Sequence, residues 1–250
     1  MPASTALADP TTVITLAGPP PTATAPDRVT LTVTIAGLFD VLTNTVRAIG
    51  TDLTLPSIAR LRLHIADGRL HATATDRYRI HRDWTPLLDN TPAHLPDPLF
   101  LSTSDVATLR ALLRRRLAPA TRTAPATLTV GLPSPDGELR PVRLTVGSRR
   151  THRDSLTVVS VADPDLPYPD IAALDARFPA MGATGAVQLN PQFIDDAGRL
   201  THDGRPVSRR AGLLFHFRTA RTDGEAGPIR ITHPERPSWA ADLMPIRIDQ

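Results

Sequence analysis

The sequence predicts an α+β protein assembled by repeating one β-α-β-β-β unit. Three observations carry this expectation. The apolar spacing switches from two to about 3.6 and back. The switch recurs in the same order three times, at intervals of roughly 60–70 residues. Turn and capping signals stand at the joints between the segments.

Residues 1–27 open the chain with "AGPPPTATAP", which has nothing to pack and reads as an extended or disordered tail. In "TLTVTI" (30–35), Leu31, Val33 and Ile35 share one face of a half-buried strand. "GLFDVLTNTVRAIG" then carries a helical stripe of Leu38, Val41, Leu42, Val46 and Ile49, stopped by Gly50. "SIARLRLHI" and "RLHATATD" alternate on either side of Asp67-Gly68, a type I′ hairpin signal, and a short strand through Tyr78 and Ile80 completes the unit.

The second unit opens on "PLFLS" (98–102). A helix capped at Ser104-Asp105 follows, with Val106, Leu109, Leu112, Leu113 and Leu117 on its stripe. "ATLTVGL", "VRLTVG" and "SLTVVSV" supply its strands. A proline-rich connector, "DPDLPYPDIAALDARFP", leads to the third unit. There "AVQLN" is a strand, Asn190-Pro191 starts a short helix, and "GLLFHFR", "PIRIT" and "DLMPIRI" are strands. The division is a tail (1–27), a two-unit domain (28–160), a connector (161–182) and a one-unit domain (183–250).

The 250 residues contain no cysteine and no lysine, so all 28 basic side chains are arginine and the formal charge is +3. Disulfides and thiolate metal sites are thereby excluded. So small a charge does not imply a nucleic-acid partner unless the arginines cluster. No apolar run approaches the roughly 18–20 residues of a membrane span. The N-terminus also lacks the order of a secretory signal. A cytoplasmic protein with no membrane partner is expected.

"LPSIARLRLHIADGRLHATATDRYRIHR" resembles the middle domain of the bacterial DNA polymerase III β sliding clamps, whose signature is Thr-Asp-x-[aromatic or His]-Arg-[apolar]. Thr75, Asp76, Tyr78, Arg79 and Ile80 fill it. "GSRRTHRDSL" and "YPDIAALDARFP" resemble the passage from the middle to the last domain. "VQLNPQFIDDAGRL" is similar to the final helix region, and "ADLMPIRI" to the C-terminal Met-Pro-[apolar]-Arg-[apolar] ending. The resemblance covers most of residues 30–250, with actinobacterial clamps nearest in pattern. It implies a DNA-clamp fold with three units per chain where the family has six. The family's first domain and the first half of its last domain are absent, and with them both halves of its ring-closing contact. The oligomeric state is left open, between a tetramer completing twelve units and a monomer.

The resemblance also implies a non-enzymatic protein without a cofactor, whose cleft accepts short linear motifs of polymerases, clamp loader and repair proteins. Its wall would be Thr75, Arg77, Tyr78, Arg79 and Ile80, with Pro169 and Leu174 on the connector. Leu243, Met244, Pro245, Ile246 and Arg247 would complete it. Methionine, proline and an aromatic ring suit a pocket for varied apolar anchors, and rim arginines suit peptide carbonyls or acids. Two positions depart from the family: Ala173 stands where a larger basic residue is common, and Asp242 where an apolar one is usual.

Non-sequence-specific duplex DNA is the second partner implied, through helix arginines facing phosphates. Arg110, Arg114, Arg115 and Arg116 on the second helix are the candidates, with Arg47 on the first. The third helix carries Asp195 and Asp196 instead. The same arginines also fit a solvated helix C-terminus.

Other chemistries find little footing. His64 and His71 face each other across one hairpin, but no third ligand has metal-site spacing. Asp163, Asp165 and Asp170 are bracketed by prolines and read as turn residues. Neither a nucleophile elbow nor a phosphate loop nor a dinucleotide fingerprint is present. The rival readings are a monomeric clamp mimic that competes with a full clamp, a DNA-binding protein without partners, and a small enzyme with an unrecognised site.

Overall fold

The computed structural model describes residues 28–52, 54–88, 95, 97–147, 154–161, 167–178, 180–181, 189–208, 211–219 and 227–245. The tail, most of "AVQLN" and residues 246–250 lie outside these.

Strand β1 (Val29–Thr34) buries Leu31 and Val33. The Thr34 hydroxyl accepts the Gly37 N–H at 3.0 Å, so helix α1 (Ile35–Thr45) starts earlier than its apolar stripe suggests. One 3₁₀ turn (Val46–Ala48) extends it. Strands β2 (Arg60–Ala66), β3 (Arg69–Thr75) and β4 (Arg79–Pro86) follow. Asp67 and Gly68, with φ of 50° and 67°, form the type I′ turn between the first two.

The second unit repeats the order as β5 (Leu99–Ser102), α2 (Thr103–Arg114), β6 (Pro125–Val130), β7 (Leu139–Val146) and β8 (Asp154–Val161). Ser102, not Ser104, caps α2. Its hydroxyl accepts the Asp105 N–H at 3.1 Å and donates to the Asp105 carboxylate at 2.6 Å.

The opening strand of each unit crosses to the other, giving β1-β6-β7-β8 in one sheet and β4-β3-β2-β5 in the second. Neither unit has a complete sheet alone. The two form one core, with Leu31, Leu42, Leu63, Leu101, Leu109 and Leu144 buried together.

Beyond β8 come α3 (Ile171–Arg177), β9 (Ala180–Met181), α4 (Pro191–Ala197), β10 (Thr201–His202) and β11 (Arg205–Pro206). β12 (Leu214–His216), β13 (Arg218–Thr219), β14 (Ile229–His233) and β15 (Arg236–Leu243) end the order. Helix α3 within the connector and the β10–β11 hairpin are additions to the sequence reading, and "GLLFHFR" is interrupted at Phe217.

Strand β15 pairs antiparallel with β4, from Ala240 opposite Arg82 to Leu243 opposite Arg79. The second sheet therefore continues into the third unit as seven strands, β12-β14-β15-β4-β3-β2-β5. Leu200, Ile231, Trp239 and Leu243 form the third unit's own core. Among the described residues no helix is long and apolar enough to cross a membrane.

Candidate functional site

The β3–β4 turn explains the Thr-Asp-x-Tyr-Arg spacing. The Thr75 hydroxyl donates to the Arg79 carbonyl at 2.8 Å, and Asp76 Oδ1 accepts the N–H groups of Tyr78 and Arg79 at 3.1 and 3.0 Å. This winding puts Arg77 at φ 79°, the left-handed region that glycine occupies without cost. Arg77→Gly is expected to raise stability by about 0.5–1 kcal/mol, the left-handed strain relieved less the entropy glycine adds to the unfolded chain. Urea unfolding of the two proteins measures it.

The turn sends its two neighbouring side chains apart. Tyr78 stands 60% exposed. Arg79 folds inward: Nε meets Asp76 at 2.9 Å, Nη1 meets Asp196 at 2.6 Å, and Nη2 donates to the Arg47 carbonyl at 2.6 Å. Its guanidinium lies 4.4 Å from the Phe193 ring centre. Arg79 thus fastens α4 to the first unit, with all three nitrogens engaged. Burial pushes the Asp196 carboxyl up, but the bond and charge of Arg79 and the charge of Arg47 outweigh it and hold it below the usual range.

On the outer face of the seven-stranded sheet, Thr75, Ile80 and Asp242 lie side by side across β3, β4 and β15. Met244 is the next residue on that face, and its N–H donates to the Tyr78 carbonyl at 2.8 Å. Helix α3 is tied over this face by Asp175, which meets Arg82 at 2.7 Å and Arg218 and Arg230 at 3.1 Å. Asp242, only 1% exposed, meets Arg230 at 2.9 Å and Arg82 at 3.0 Å. Desolvation would raise the Asp175 carboxyl, but hydrogen bonds from Arg82 and Arg218 and the charge of Arg230 hold it below the usual range. Asp242 is thus one of two carboxylates holding three arginines, where an apolar residue would leave those arginines to Asp175 alone.

The structure gathers Tyr78, Met244 and half-buried Pro245 at the rim, with Thr75 and Ile80 as buried floor and Leu174 on the overlying helix. Arg77 is exposed beside Tyr78. Other residues are placed elsewhere. Arg79 and Leu243 point to the opposite face of the sheet, Leu243 fully buried in the third unit's core. Pro169 lines a cleft with Tyr168, Phe100 and Arg62. Ile246 and Arg247 lie outside the described residues.

On the inner face a buried polar network joins the first and third units. Arg236 meets Asp83 at 3.0 Å and Asp40 at 3.4 Å, and all three side chains are buried. Asn44 donates to Asp83 at 2.8 Å and accepts the Thr201 N–H at 2.9 Å, while Gly204 donates its N–H to Asp40 at 3.1 Å. The β10–β11 hairpin, turned by Asp203 and Gly204 at φ 51° and 70°, is thereby clamped along α1. Burial drives the Asp40 carboxyl up to about 6, against the pull of Thr201 and Arg236. His81, bonded to the Asn44 carbonyl at 3.1 Å, is driven down to about 4, chiefly by burial.

The arginines considered for DNA divide. Every residue of α1 is buried, so that helix offers no phosphate-facing surface. Arg47 is paired with Asp196 at 3.1 Å, and Arg116 with Asp154. Arg110 donates to the Thr43 hydroxyl at 3.0 Å; burial, then the charges of Arg47 and Arg114, lowers its affinity for a proton. Arg114 and Arg115 are exposed. His64 and His71 stack with ring centres 5.0 Å apart on the outer face.

No protein-family model matches the chain, and no curated protein matches its sequence. Solved structures do match its fold. The DNA polymerase III β subunit of Thermotoga maritima aligns with 92% of this chain and 68% of its own, at 15% identity and a TM-score of 0.57. The sliding clamp of Bartonella birtlesii, bound to griselimycin, aligns with 92% of this chain and 69% of its own, at 15% identity and a TM-score of 0.55. The Bacillus subtilis clamp covers 88% and 64%, at 13% identity and a TM-score of 0.50. The chain has the DNA-clamp fold over about two thirds of the length of those proteins.

Proposed function

We propose that this chain is a non-enzymatic sliding-clamp homologue that binds short linear motifs of replication and repair proteins. The binding surface is the one where its last strand meets the β3–β4 turn. The observation carrying this reading is the Met244–Tyr78 backbone bond, which sets an exposed aromatic ring beside a half-buried methionine and proline over the floor of Ile80. An apolar peptide anchor fits such a patch, and Arg77 at its rim suits an acid or carbonyl of the same peptide.

In this reading residues 28–160 are the two-unit domain, 161–182 the connector and 183–250 the closing unit. Arg79 and Leu243 hold the surface in place without touching the peptide.

The buried state of α1 and the pairing of Arg47 and Arg116 favour one variant of the proposal. With Arg114 and Arg115 as the exposed arginines left on α2 and at its C-cap among the described residues, the helix layer suits a chain that competes with a full clamp for partners better than one that encircles DNA.

The test is titration of a fluorescent peptide carrying a generic clamp-binding motif, with light scattering on the same samples. Saturable binding is expected, weakened at least about tenfold in a Tyr78→Ala, Met244→Ala double variant, since removing both apolar contacts costs more than 1.4 kcal/mol. A monomer mass with binding retained supports the competitor, whereas a tetramer mass supports a ring. Absence of binding by folded wild type sinks the proposal.

A further inference from the structure

We infer that the outer face of the β1-β6-β7-β8 sheet is the docking site of the chain's own N-terminal segment, with Val13, Ile14 and Leu16 as the apolar contacts. On that face Leu139 of β7 stands opposite Val161 of β8, and Pro141 opposite Val159. The alternate residues, Val142, Leu144 and Val158, are buried in the core beneath. The four outward ones are exposed, Leu139, Val159 and Val161 by 44%, 41% and 45%. Leu132, just after β6, is 61% exposed and lines a hollow with Pro141. Five apolar side chains thus adjoin on a solvent-facing sheet surface, where Thr127, Thr129, Arg143 and Thr157 show the polar residues such a face ordinarily carries.

The size of the patch selects the occupant. Five partly exposed side chains offer a few hundred Å², short of the roughly 800 Å² per partner that a stable interface between two proteins needs. A second copy is therefore a poor match, and a short tethered segment a good one. The hollow holds about 760 Å³, and Arg28, the first described residue, lines it with Thr129, Gly131 and Arg143. Residues 1–27 therefore join the chain at the edge of this face. Among them "TTVITL" (11–16) brings Val13, Ile14 and Leu16 together.

Reach and charge both suit this segment. The ten residues from Gly18 to Asp27 include four prolines. At about 3.1 Å per residue such a proline-rich spacer extends roughly 30 Å. Strands β7 and β8 lie two and three spacings from β1 in the sheet order, about 10 and 14 Å away. A tether of this length holds the segment at an effective concentration near the millimolar range, so a contact too weak for a free peptide is filled within the chain. Arg28 and Arg143 make the hollow positive, and residues 1–27 carry Asp9 and Asp27 with no basic side chain. The Tyr78–Met244 surface belongs to the other sheet, and the segment docks whether or not that surface binds peptides.

Because the chain has no cysteine, a nitroxide can be placed in the full chain at a single new thiol, Thr11→Cys, and read by nuclear magnetic resonance. The backbone amide signals of Leu132, Leu139, Val159 and Val161 are expected to lose most of their intensity, and to regain it when the nitroxide is reduced. Two variants of the labelled chain test the contact from either side: Val13→Ser, Ile14→Ser and Leu16→Ser together, and Val159→Thr with Val161→Thr. Each is expected to recover most of the lost intensity, and dispersed spectra show that it folds. When the nitroxide chain is mixed with isotope-labelled wild type, the wild-type signals are expected to stay sharp. No broadening in the nitroxide chain, equal broadening with and without the serine substitutions, or broadening that Val159→Thr with Val161→Thr leaves unchanged would each overturn the inference. Broadened wild-type signals in the mixture would overturn it in favour of a second copy.

Discussion

Replacing Arg236 by methionine is expected to cost about 3–5 kcal/mol of stability, as when one partner of a buried ion pair is removed. Arg236 faces two buried carboxylates from different elements, Asp40 of α1 and Asp83 of β4, and also meets His202 of the hairpin at 3.1 Å. Without it, Asp83 keeps, among the described residues, the Asn44 amide and the Trp84 N–H for a charge that water does not reach. The third unit loses one polar attachment at the same stroke, keeping those of Arg79 to Asp196 and Arg82 to Asp242. Urea unfolding of Arg236→Met, Asp83→Asn and the double variant measures the coupling. The double variant is expected to recover part of the loss, because an uncharged residue 83 no longer needs a partner. A single-variant loss below about 1 kcal/mol would instead place this network among weakly contributing surface pairs.

Acidification separates two buried groups of opposite sign. Asp40 titrates near 6 in the folded chain against 3.8 when unfolded, so the folded form takes up the proton first. Its share of stability therefore rises as pH falls from about 6 to 4. His81 titrates near 4 in the folded chain against 6.5 when unfolded, so the unfolded form takes up the proton first. Its share falls from pH 6.5 to 4, and is whole only above 6.5. Each amounts to about 3 kcal/mol across its window, and the two oppose one another. Burial also depresses His64 and His71, which adds acid loss of the same sign as His81. Wild type should thus lose some stability between pH 7 and 4. Asp40→Asn should lose about 3 kcal/mol more over that range, and His81→Asn, which keeps a donor for the Asn44 carbonyl, about 3 kcal/mol less. Unfolding midpoints at pH 4, 5.5 and 7 read both differences.

The regular part of the fold was legible because its segments are long and strictly periodic. Leu31, Val33, the α1 stripe and the alternating β2–β4 residues each point one way, and Asp67-Gly68 can hardly be anything but a hairpin turn. Helix α3 escaped because it is a surface helix without an apolar stripe. Its only local signal is Asp170 as cap, inside a run read as proline-dominated connector. The β10–β11 hairpin escaped although Asp203-Gly204 repeats the Asp67-Gly68 signal, since two-residue strands leave no alternation to see.

Of the candidate surface, the turn Thr75–Ile80 and Met244 were readable from motif order. The facing of Arg79 and Leu243 was not, because one step along a strand reverses the face. The ionic networks were beyond reach of spacing altogether: Arg236 and Asp40 are 196 residues apart. Asp242 alone gave a hint, as a charged residue in an apolar-patterned strand.

The most direct test of the central claim is backbone amide hydrogen exchange of the intact chain with and without the motif peptide. The account predicts slowing confined to Tyr78–Ile80, the neighbourhood of Leu174, and Met244, where the last strand meets the turn. Slowing that appears instead along Arg110–Arg116, or none at these residues when the peptide is saturating, would contradict it.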